Sequence, residues 1–268
     1  MSNQQGAKIT VHWLNKSRGQ RIVWLLEELK LEYNIEVYKR DENKRAGPEL
    51  KKVHPLGKSP TISIKPAGSD KEIVVTESET IVEYVCEHFG KHLIPQRYPE
   101  GKEGVLGAET EEWMRYKVCA LPYFYIFLMD YTEGSLFTVL MIALITGNIK
   151  NAPVPFFIKP ITNSIAGKIN SSFVDPELKS HFDFLEDYLV KSSSNGEFFC
   201  GSSITGADIM IHFALEGATQ RVPLSETSYP KLYEYMRRLQ GRDAYKRAAE
   251  RVTEASGEKF VPFSDAKL

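Results

Sequence analysis

His54-Pro55-Leu56-Gly57-Lys58-Ser59-Pro60-Thr61-Ile62 is the stretch around which the N-terminal half of this sequence is arranged. It joins a charged segment to a run of residues typical of a strand. Pro60 stands directly before Thr61-Ile62, at the strand position where a missing N–H does least harm. Ser59-Pro60 is therefore a candidate cis peptide bond. Taken alone, the loop favours an ordinary trans turn, because most X-Pro bonds are trans.

The segments on both sides of this loop predict a small mixed sheet. Residues 9–14 and 34–38 are rich in β-branched and aromatic residues, which indicates two strands. Between them, apolar residues recur on one face of a helix: Ile22, Leu25, Leu26 and Leu29. Strand, helix and strand in this order form a βαβ unit with parallel strands. Residues 61–64 and 73–76 then predict an antiparallel hairpin, and Ser78 begins a second helix.

The second half of the sequence carries little strand signal. Prolines and a glycine among polar residues indicate a linker near residues 93–105. We therefore expect an α/β domain over residues 1–92 and an all-helical domain over residues 106–268.

Two local patterns stand out in the helical half. Residues 109–129 predict one long helix, bent at Pro122 because an interior proline removes a hydrogen bond. Thr205 and Asp208 have the spacing of a capping box, with aspartate in place of glutamate. Both patterns concern folding rather than chemistry.

The composition is that of a globular protein with 42% hydrophobic and 26% charged residues. The 34 basic and 35 acidic residues give a net charge of −1, which argues against nucleic acid as a partner. Cys86, Cys119 and Cys200 are far apart in the sequence and odd in number. They predict neither a disulfide framework nor a zinc site, and we expect no metal.

The ends of the chain and its apolar runs bear on location. The first six residues lack an apolar signal core, and the most apolar run, residues 136–145, is too short to span a bilayer. We therefore expect a cytoplasmic protein without an integral membrane span. The ending Asp265-Ala266-Lys267-Leu268 is weakly similar to a retention signal, but without an entry signal this similarity means little. Peripheral association with the endoplasmic reticulum stays open.

Ser17 is the first candidate for chemistry. It follows the first strand and precedes the first helix, where ligands bind in open α/β sheets. Free N–H groups and the helix dipole favour an anion there, and Arg18 adds a cation. No G-x-S-x-G motif surrounds Ser17, so it suits hydrogen bonding to an anion better than nucleophilic attack. The competing interpretation is a serine that caps the helix, and spacing alone favours the cap.

Glu77 and Ser78 form the second candidate, at another junction between a strand and a helix. The N–H and hydroxyl of Ser78 are suited to a carboxylate, and Glu77 is suited to an ammonium group. One carboxylate and one ammonium make an amino-acid head group. The alternative is again a helix cap, in which Glu79 merely opposes the dipole.

The opening loop is the third candidate. An extended backbone at Ser59, held by Pro60, offers an N–H and a C=O with which a peptide can pair. Lys58 and Arg45 are cations suited to a terminal carboxylate, although solvated surface charge is the usual fate of such residues. Together the three candidates describe a peptide with an amino-acid head, a free carboxylate and an anion near Ser17. Glutathione has these features, its thiolate being the anion.

The sequence resembles the cytosolic glutathione transferase superfamily over nearly its whole length, most closely the fungal glutathione transferase I type. The matching segments, in order, are Val11-His12-Trp13-Leu14, Ser17-Arg18, Trp24-Leu25-Leu26, Tyr38-Lys39-Arg40-Asp41, Pro48-Glu49-Leu50-Lys51-Lys52, the loop from His54 to Pro60, Glu77-Ser78, Glu133-Gly134-Ser135-Leu136 and Gly206-Ala207-Asp208-Ile209. The longer hairpin around Gly68-Ser69-Asp70 departs from the pattern.

The resemblance implies a glutathione transferase fold: an α/β thioredoxin-like N-terminal domain and an all-α C-terminal domain, usually as a homodimer. It implies a cis Ser59-Pro60 bond and contact of Glu77 and Ser78 with the γ-glutamyl group. Lys58 and Arg45 would meet the glycyl carboxylate. Glutathione would be a substrate, with no resident cofactor.

The resemblance also implies that Ser17 stabilises the glutathione thiolate, and Ser17-x-x-x-Arg21 matches the serine-type pattern. The expected reaction is attack of the thiolate on hydrophobic electrophiles, and on hydroperoxides as a peroxidase. Two alternatives stay open: a non-catalytic carrier of glutathione or hydrophobic ligands, and a transferase-like dimerisation scaffold.

Four aromatic residues are candidates to line a hydrophobic substrate site between the domains: Tyr116, Tyr123, Tyr131 and Phe137. Aromatic residues at such spacing are more often part of a core, so they are not assigned to the site.

Overall fold

The structure is a computed structural model of the whole chain. It describes residues 4–15, 17–42, 45–117, 119–121, 124–126, 128–192, 196–219, 222, 224–258 and 260.

The first half of the chain forms a four-stranded mixed sheet with the order β2-β1-β3-β4. Its strands are β1 Lys8–Leu14, β2 Tyr33–Tyr38, β3 Thr61–Lys65 and β4 Ile73–Thr76. β1 and β2 are parallel, whereas β3 is antiparallel to both β1 and β4. The predicted βαβ unit and hairpin are confirmed.

Three helices accompany this sheet: α1 Gly19–Glu28, α2 Leu50–Val53 and α3 Ser78–Phe89. The apolar stripe of α1 faces the core, since Ile22, Leu25 and Leu26 are fully buried. α3 buries Ile81 and Val85 in the same way. Both helices are therefore fixed by packing, which sets the positions of their N-terminal ends.

The topology brings four segments to one edge of the sheet. β1 ends there at Leu14, and the parallel β2 ends there at Tyr38. β3 runs the other way and begins there at Thr61, which pairs with Thr76 at the end of β4. The turn after β1, the loop after β2, the Ser59–Pro60 bond and the start of α3 therefore share this edge.

The second half is mainly helical. After a short 3₁₀ turn at Lys91–Leu93, its elements are α4 Glu111–Lys117, β5 Cys119–Leu121, β6 Phe124–Ile126, α5 Leu128–Tyr131, a π-helical turn Thr132–Leu136, α6 Phe137–Lys150, α7 Lys159–Ile169, a π-helical turn Asn170–Val174, α8 Asp175–Val190, α9 Gly206–Ala218, α10 Pro230–Gln240 and α11 Asp243–Ser256.

The single long helix predicted over residues 109–129 is wrong. α4 ends at Lys117, and the short antiparallel pair β5 and β6 follows it. Pro122 itself, the expected position of the bend, lies outside the described residues. In a sequence, proline has no N–H to donate and disfavours helical angles for the residue before it. Leu121 accordingly ends a strand, and helix resumes at Leu128.

The chain packs as two compact units that are not contiguous in sequence. Of the described residues, the first unit comprises those within 4–95, 204–210 and 238–260, and the second comprises those within 96–203 and 211–237. α11 belongs to the first unit because it packs on α1, where the Arg242 Nε lies 2.6 Å from Glu28 Oε1. The linear division at residues 92 and 106 stays a prediction.

The predicted capping box also lies in the first unit. The Asp208 carboxylate accepts hydrogen bonds from the Thr205 N–H and hydroxyl, both at 2.8 Å. The return contact from Asp208 to Thr205 is therefore confirmed, and it fixes the start of α9.

One helical stretch within the described ranges, Leu128–Lys150, is long and apolar enough to cross a membrane. It has 23 residues and a mean hydropathy of 1.4, and it extends well beyond the apolar run at residues 136–145. However, 44% of its most apolar window is buried inside the protein. Core helices pass the same test, so the stretch is weak evidence for a membrane span.

Candidate functional site

Ser17 lies between the end of β1 and the start of α1 and is 8% exposed. Its Oγ accepts a hydrogen bond from the backbone N–H of Gly19 at 3.1 Å. This contact satisfies one of the free donors at the helix N-terminus, as the capping interpretation requires. The hydroxyl is thus aimed at the same N–H groups that would attract an anion.

Ser59 is the second partner of Ser17, with their hydroxyl oxygens 3.1 Å apart. The Ser59 hydroxyl also donates to the backbone carbonyl of His12 at 3.2 Å. A hydroxyl carries one hydrogen, so Ser59 acts as the acceptor when its own hydrogen goes to His12. In that arrangement the hydrogen of Ser17 points at Ser59.

Gly19 is a close neighbour of both hydroxyls. A Cβ atom at this position would lie 3.1 Å from Ser17 Oγ, 3.2 Å from Ser59 Oγ and 3.3 Å from Trp13 Cδ1. The absent side chain thus leaves room beside the serine pair. Within the described part of the chain, the buried indole N–H of Trp13 has no hydrogen-bond partner.

The Ser59–Pro60 peptide bond is cis, as the resemblance implies. Pro60 is buried and leads into β3. The Thr61 hydroxyl donates to the Lys58 carbonyl at 2.8 Å, which closes the loop around the proline. The Ser59 backbone is therefore held at the sheet edge, with its side chain toward Ser17.

Ser78 is the first residue of α3 and is 2% exposed. Its Oγ is buried and has no hydrogen-bond partner within the described residues. Leaving a buried hydroxyl unpaired costs about 1–3 kcal/mol, so such groups are uncommon and each calls for an explanation. The position at a helix N-terminus suits an anionic group of a ligand.

Glu77 directly precedes this helix and is exposed. Its backbone has a φ of 69° and a ψ of 130°, outside the regions that residues with a Cβ normally occupy. Such a conformation costs on the order of 1–3 kcal/mol and is common at ligand sites. This backbone conformation of Glu77 turns the chain sharply between β4 and α3.

Lys58 and Arg45 are both exposed. Lys58 lies one residue from Ser59, at the sheet edge. Arg45 lies on the loop after β2, where its backbone N–H donates to the Asp41 carboxylate at 2.8 Å. Ser17 and Ser59 are thus in direct contact. The sheet register places Glu77 and Ser78 beside Pro60. Within the described residues, the contacts of Arg45 are with Asp41.

The His12 side chain forms its hydrogen bonds within the sheet. Its Nε2 lies 2.8 Å from the Ser63 hydroxyl, and its Nδ1 lies 3.1 Å from the Tyr38 hydroxyl and 3.2 Å from Glu36 Oε2. Burial lowers the pKa of His12, although Glu36 opposes that effect. Ser63 is itself 3% exposed and His12 5% exposed, so the serine and the histidine of this array offer no open face to a substrate.

Two other groups near the site lie in the core of the first unit. Arg21 is 1% exposed, and its Nη1 lies 3.2 Å from the Met210 sulfur. Burial raises the pKa of the Cys86 thiol to about 12, which keeps it protonated at neutral pH.

Of the aromatic candidates in the helical half, Tyr116 and Tyr131 are 1% and 5% exposed, so they belong to the core of the second unit. The Tyr131 hydroxyl lies 2.7 Å from His181 Nδ1. Phe137 stacks on Phe213 with ring centroids 6.2 Å apart. Tyr123 lies outside the described residues.

The sequence reasoning missed Gly19, the Trp13 indole and the His12 carbonyl. A glycine two residues after a serine at a strand end is a usable signal for Gly19. The other two depend on long-range packing. No group of three or more His, Cys, Asp and Glu side chains suited to a metal occurs in the described ranges.

Two family profiles match the chain. Residues 8–87 match the N-terminal domain of glutathione S-transferases, and residues 155–247 match their C-terminal domain.

Individual proteins are similar to most of the chain. Glutathione S-transferase 1 of Saccharomyces cerevisiae is 34% identical over 253 residues, which cover 94% of this chain and 98% of that protein. Glutathione S-transferase 3 of Schizosaccharomyces pombe is 31% identical over 97% of this chain and 93% of its own length. A glutathione transferase homologue of Lodderomyces elongisporus, solved with two glutathione molecules per subunit, shares the fold with a TM-score of 0.63. It is 19% identical, over 90% of this chain and 97% of that one.

Proposed function

Because the chain belongs to the glutathione S-transferase family, an enzyme family with members in fungi, we propose that Ser17 activates the thiol of bound glutathione for transfer to hydrophobic electrophiles. In this proposal glutathione is a substrate and not a resident cofactor. The reacting sulfur lies at the N-terminal end of α1.

The observation that carries the proposal is the unpaired, buried hydroxyl of Ser78 at the start of α3. We assign the γ-glutamyl carboxylate to this hydroxyl and to the free N–H groups of the helix. The exposed carboxylate of Glu77 then meets the γ-glutamyl ammonium group. The Ser59 backbone pairs with the cysteinyl residue of glutathione, and Lys58 and Arg45 attract its glycyl carboxylate.

The magnitude of thiol activation supports a role for Ser17. A thiol has a pKa near 8.5, and a mostly ionised thiol at pH 7 needs a drop of about two units, or roughly 2.7 kcal/mol. A hydrogen bond to a charged acceptor contributes about 1.5–3 kcal/mol. The helix dipole adds about 0.3–1 kcal/mol. Ser17 and the N-terminus of α1 are therefore sufficient together.

The hydrogen of Ser17 has to change partner when the ligand binds. When the Ser59 hydrogen is donated to the His12 carbonyl, the hydrogen of Ser17 points at Ser59, which is a neutral acceptor worth about 0.5–1.5 kcal/mol. A thiolate is a charged acceptor and forms the stronger bond. Rotation of the Ser17 hydroxyl from Ser59 to sulfur therefore favours the ionised form.

The chemical step follows from this arrangement. The thiol proton leaves to solvent, and the sulfur lone pair attacks an electrophilic carbon. A carbon–sulfur bond forms while a leaving group departs with its bonding electrons. With a hydroperoxide, the same sulfur attacks oxygen and the O–O bond breaks. An alcohol is released, and a second glutathione reduces the oxidised sulfur.

We further propose a homodimer in the cytoplasm. Both are properties expected of the family. Association with the endoplasmic reticulum has no support from the comparisons.

The test compares wild-type protein with Ser17→Ala, using a chlorodinitrobenzene as the electrophile at pH 6.5. We expect conjugation to fall about five-fold or more, because the thiol pKa rises by roughly one unit or more without the charge-assisted hydrogen bond. Glutathione affinity, measured by calorimetry, should change little. Unchanged conjugation at pH 6.5 would remove Ser17 from the mechanism.

Glutathione binding and the ionisation of its bound thiol separate the alternatives. A carrier would bind glutathione without lowering the pKa of its thiol. A dimerisation scaffold would not bind glutathione at all. Catalysis requires both binding and ionisation.

A further inference from the structure

The indole of Trp13 is a buried hydrogen-bond donor that the proposed activation of the thiol does not use. Trp13 is 7% exposed, and its Nε1–H is buried without a hydrogen-bond partner within the described residues. An indole nitrogen can only donate, so no rearrangement of its proton can satisfy it. Buried polar groups are paired in the great majority of cases, and this exception therefore calls for an explanation.

Strand pairing fixes Trp13 at the edge of the sheet where the candidate site lies. It is the last residue but one of β1, and on one side it pairs with β2. On the other side, the last pair between β1 and β3 is His12 with Thr61. The same register carries Trp13 toward the cis-proline Pro60. Trp13 therefore lies beside the loop that holds Ser59.

The indole faces the small space beside Gly19. A Cβ atom at Gly19 would lie 3.3 Å from Trp13 Cδ1, 3.1 Å from Ser17 Oγ and 3.2 Å from Ser59 Oγ. Cδ1 is bonded directly to Nε1 in the indole ring. The edge of the ring that carries the N–H therefore borders the same space as the two hydroxyls.

Trp13 and Ser17 differ in what a new hydrogen bond displaces. The Ser17 hydroxyl gives up its contact with Ser59 when it turns to a ligand. The Trp13 N–H gives up no hydrogen bond to a described residue. Because nothing is exchanged for it, a bond from the indole to a ligand contributes its full strength.

The sulfur is the acceptor of glutathione that remains for this donor, an assignment that rests on the proposed function. In that proposal the γ-glutamyl group lies at α3, the cysteinyl backbone pairs with Ser59, and the glycyl carboxylate lies near Lys58 and Arg45. The sulfur lies at the N-terminal end of α1, next to the Ser17 hydroxyl. A thiolate has several lone pairs, so it can accept hydrogen bonds from two donors at once.

We propose that the Trp13 indole N–H donates a hydrogen bond to the sulfur of bound glutathione, as a second donor beside Ser17. Hydrogen bonds to ionised acceptors are about twice as strong as those to neutral ones. The indole therefore favours the thiolate over the neutral thiol and lowers the pKa of the thiol together with Ser17. Because it contacts the reacting atom, Trp13 is a catalytic residue in this assignment.

The test replaces a single group of the indole. Benzothienylalanine carries a sulfur where tryptophan carries the N–H and keeps the shape of the side chain, so in place of Trp13 it removes the donor alone. The measurement is the ultraviolet difference spectrum of the bound thiolate against pH, at saturating glutathione. We expect its midpoint to rise by about one unit and conjugation at pH 6.5 to fall about five-fold.

Trp24 provides the matched control. Its Nε1 donates to Glu28 Oε1 at 2.9 Å, so this indole already has a partner in the protein. Benzothienylalanine in place of Trp24 should lower the free energy of unfolding and leave the thiolate midpoint unchanged. In place of Trp13 it should raise the midpoint and leave stability nearly unchanged. This crossed pattern separates a ligand contact from a structural role.

Nuclear magnetic resonance follows the same N–H in the unaltered protein. The chain has three tryptophans, so nitrogen labelling gives three indole signals, of which Trp24→Phe and Trp113→Phe identify two. With glutathione bound, the Trp13 signal should move downfield as the thiol ionises, with the midpoint of the thiolate band. With S-methylglutathione, which cannot form a thiolate, the signal should not titrate.

The outcomes distinguish this inference from the proposed function. A midpoint that Ser17→Ala raises and the Trp13 replacement leaves in place would overturn the inference and leave the proposed function standing. A Trp13 replacement that weakens glutathione affinity without moving the midpoint would also overturn it, and would assign the N–H to another group of the ligand. A wild-type midpoint of about 8.5 would contradict the proposed function and the inference with it.

Discussion

The N-terminal ends of α1 and α3 each begin near a buried serine, yet the two hydroxyls are in opposite states. Ser17 Oγ bonds to the Gly19 N–H and to Ser59, whereas Ser78 Oγ has no partner among the described residues. The first hydroxyl already contributes to the stability of the free protein. The buried Ser78 hydroxyl is unfavourable in free energy until a ligand forms a hydrogen bond with it. The two serines therefore occupy equivalent positions in the topology but differ in state. The Ser17 hydroxyl must change its hydrogen-bond partner when glutathione binds, whereas the Ser78 hydroxyl gains its partner from the ligand.

The largest expected effect comes from removing the unpaired hydroxyl. Ser78→Ala should weaken glutathione binding about 10- to 100-fold, because it deletes a hydrogen bond to a carboxylate worth about 1.5–3 kcal/mol. Isothermal calorimetry measures the change directly. Thr80→Ala, an exposed hydroxyl deletion in the first turn of the same helix, is the matched control and should leave affinity unchanged. Equal affinities for wild type and Ser78→Ala would end the assignment of Ser78 to the γ-glutamyl group.

A substitution beside Ser17 should lower the rate of glutathione conjugation. Gly19→Ala places a Cβ 3.1 Å and 3.2 Å from the Ser17 and Ser59 oxygens. We expect conjugation to fall about ten-fold, as for a displaced catalytic donor, because a misplacement of 1 Å costs up to about 100-fold. Glutathione affinity should change less than in Ser78→Ala. Wild-type kcat and KM in this variant would show that the space beside the two hydroxyls is not used.

The free energy of unfolding of the glutathione-free protein distinguishes the roles of Ser17 and Ser78 most directly. Ser17→Ala leaves the Gly19 N–H without its acceptor and should lower the free energy of unfolding by about 1 kcal/mol. Ser78→Ala removes an unsatisfied buried group and should leave stability unchanged or slightly higher. Urea unfolding without glutathione gives both values. Equal destabilisation by the two substitutions would mean that Ser78 has a structural partner of its own.

The smallest effect is expected from Ser59→Ala. Without the Ser59 acceptor, the Ser17 hydrogen has no competing partner, so the pKa of bound glutathione should fall by about half a unit. Ser69→Ala, in the turn between β3 and β4, serves as the control. A rise in the thiol pKa would instead make Ser59 a second donor to the sulfur.

The parts of the fold that depend on local patterns were predictable. Alternation and helical spacing gave the βαβ unit and the hairpin, and the strand–helix junctions located Ser17 and Ser78. Spacing also favoured Ser17 as a cap, and its bond to the Gly19 N–H agrees with that interpretation. The two interpretations of Ser17 are therefore compatible, because a capping oxygen is also placed where an anion would bind.

Contacts between distant residues were not predictable. Ser17 and Ser59 are 42 residues apart, and their contact depends on the pairing of β1 with β3. Arg242 and Glu28 are 214 residues apart, so no local pattern placed α11 on α1. The state of Ser78 is equally hidden, because a sequence shows a hydroxyl but not whether its surroundings satisfy it.

The central claim is that Ser17 lowers the pKa of bound glutathione, and the ultraviolet difference spectrum of the thiolate against pH tests it most directly. The wild-type complex should show the thiolate band with a midpoint about two units below the ordinary value near 8.5. Ser78→Ala at saturating glutathione should keep that midpoint, and Ser17→Ala should move it upward by at least about one unit. A wild-type midpoint near 8.5, or a midpoint that Ser17→Ala leaves in place, would contradict the account.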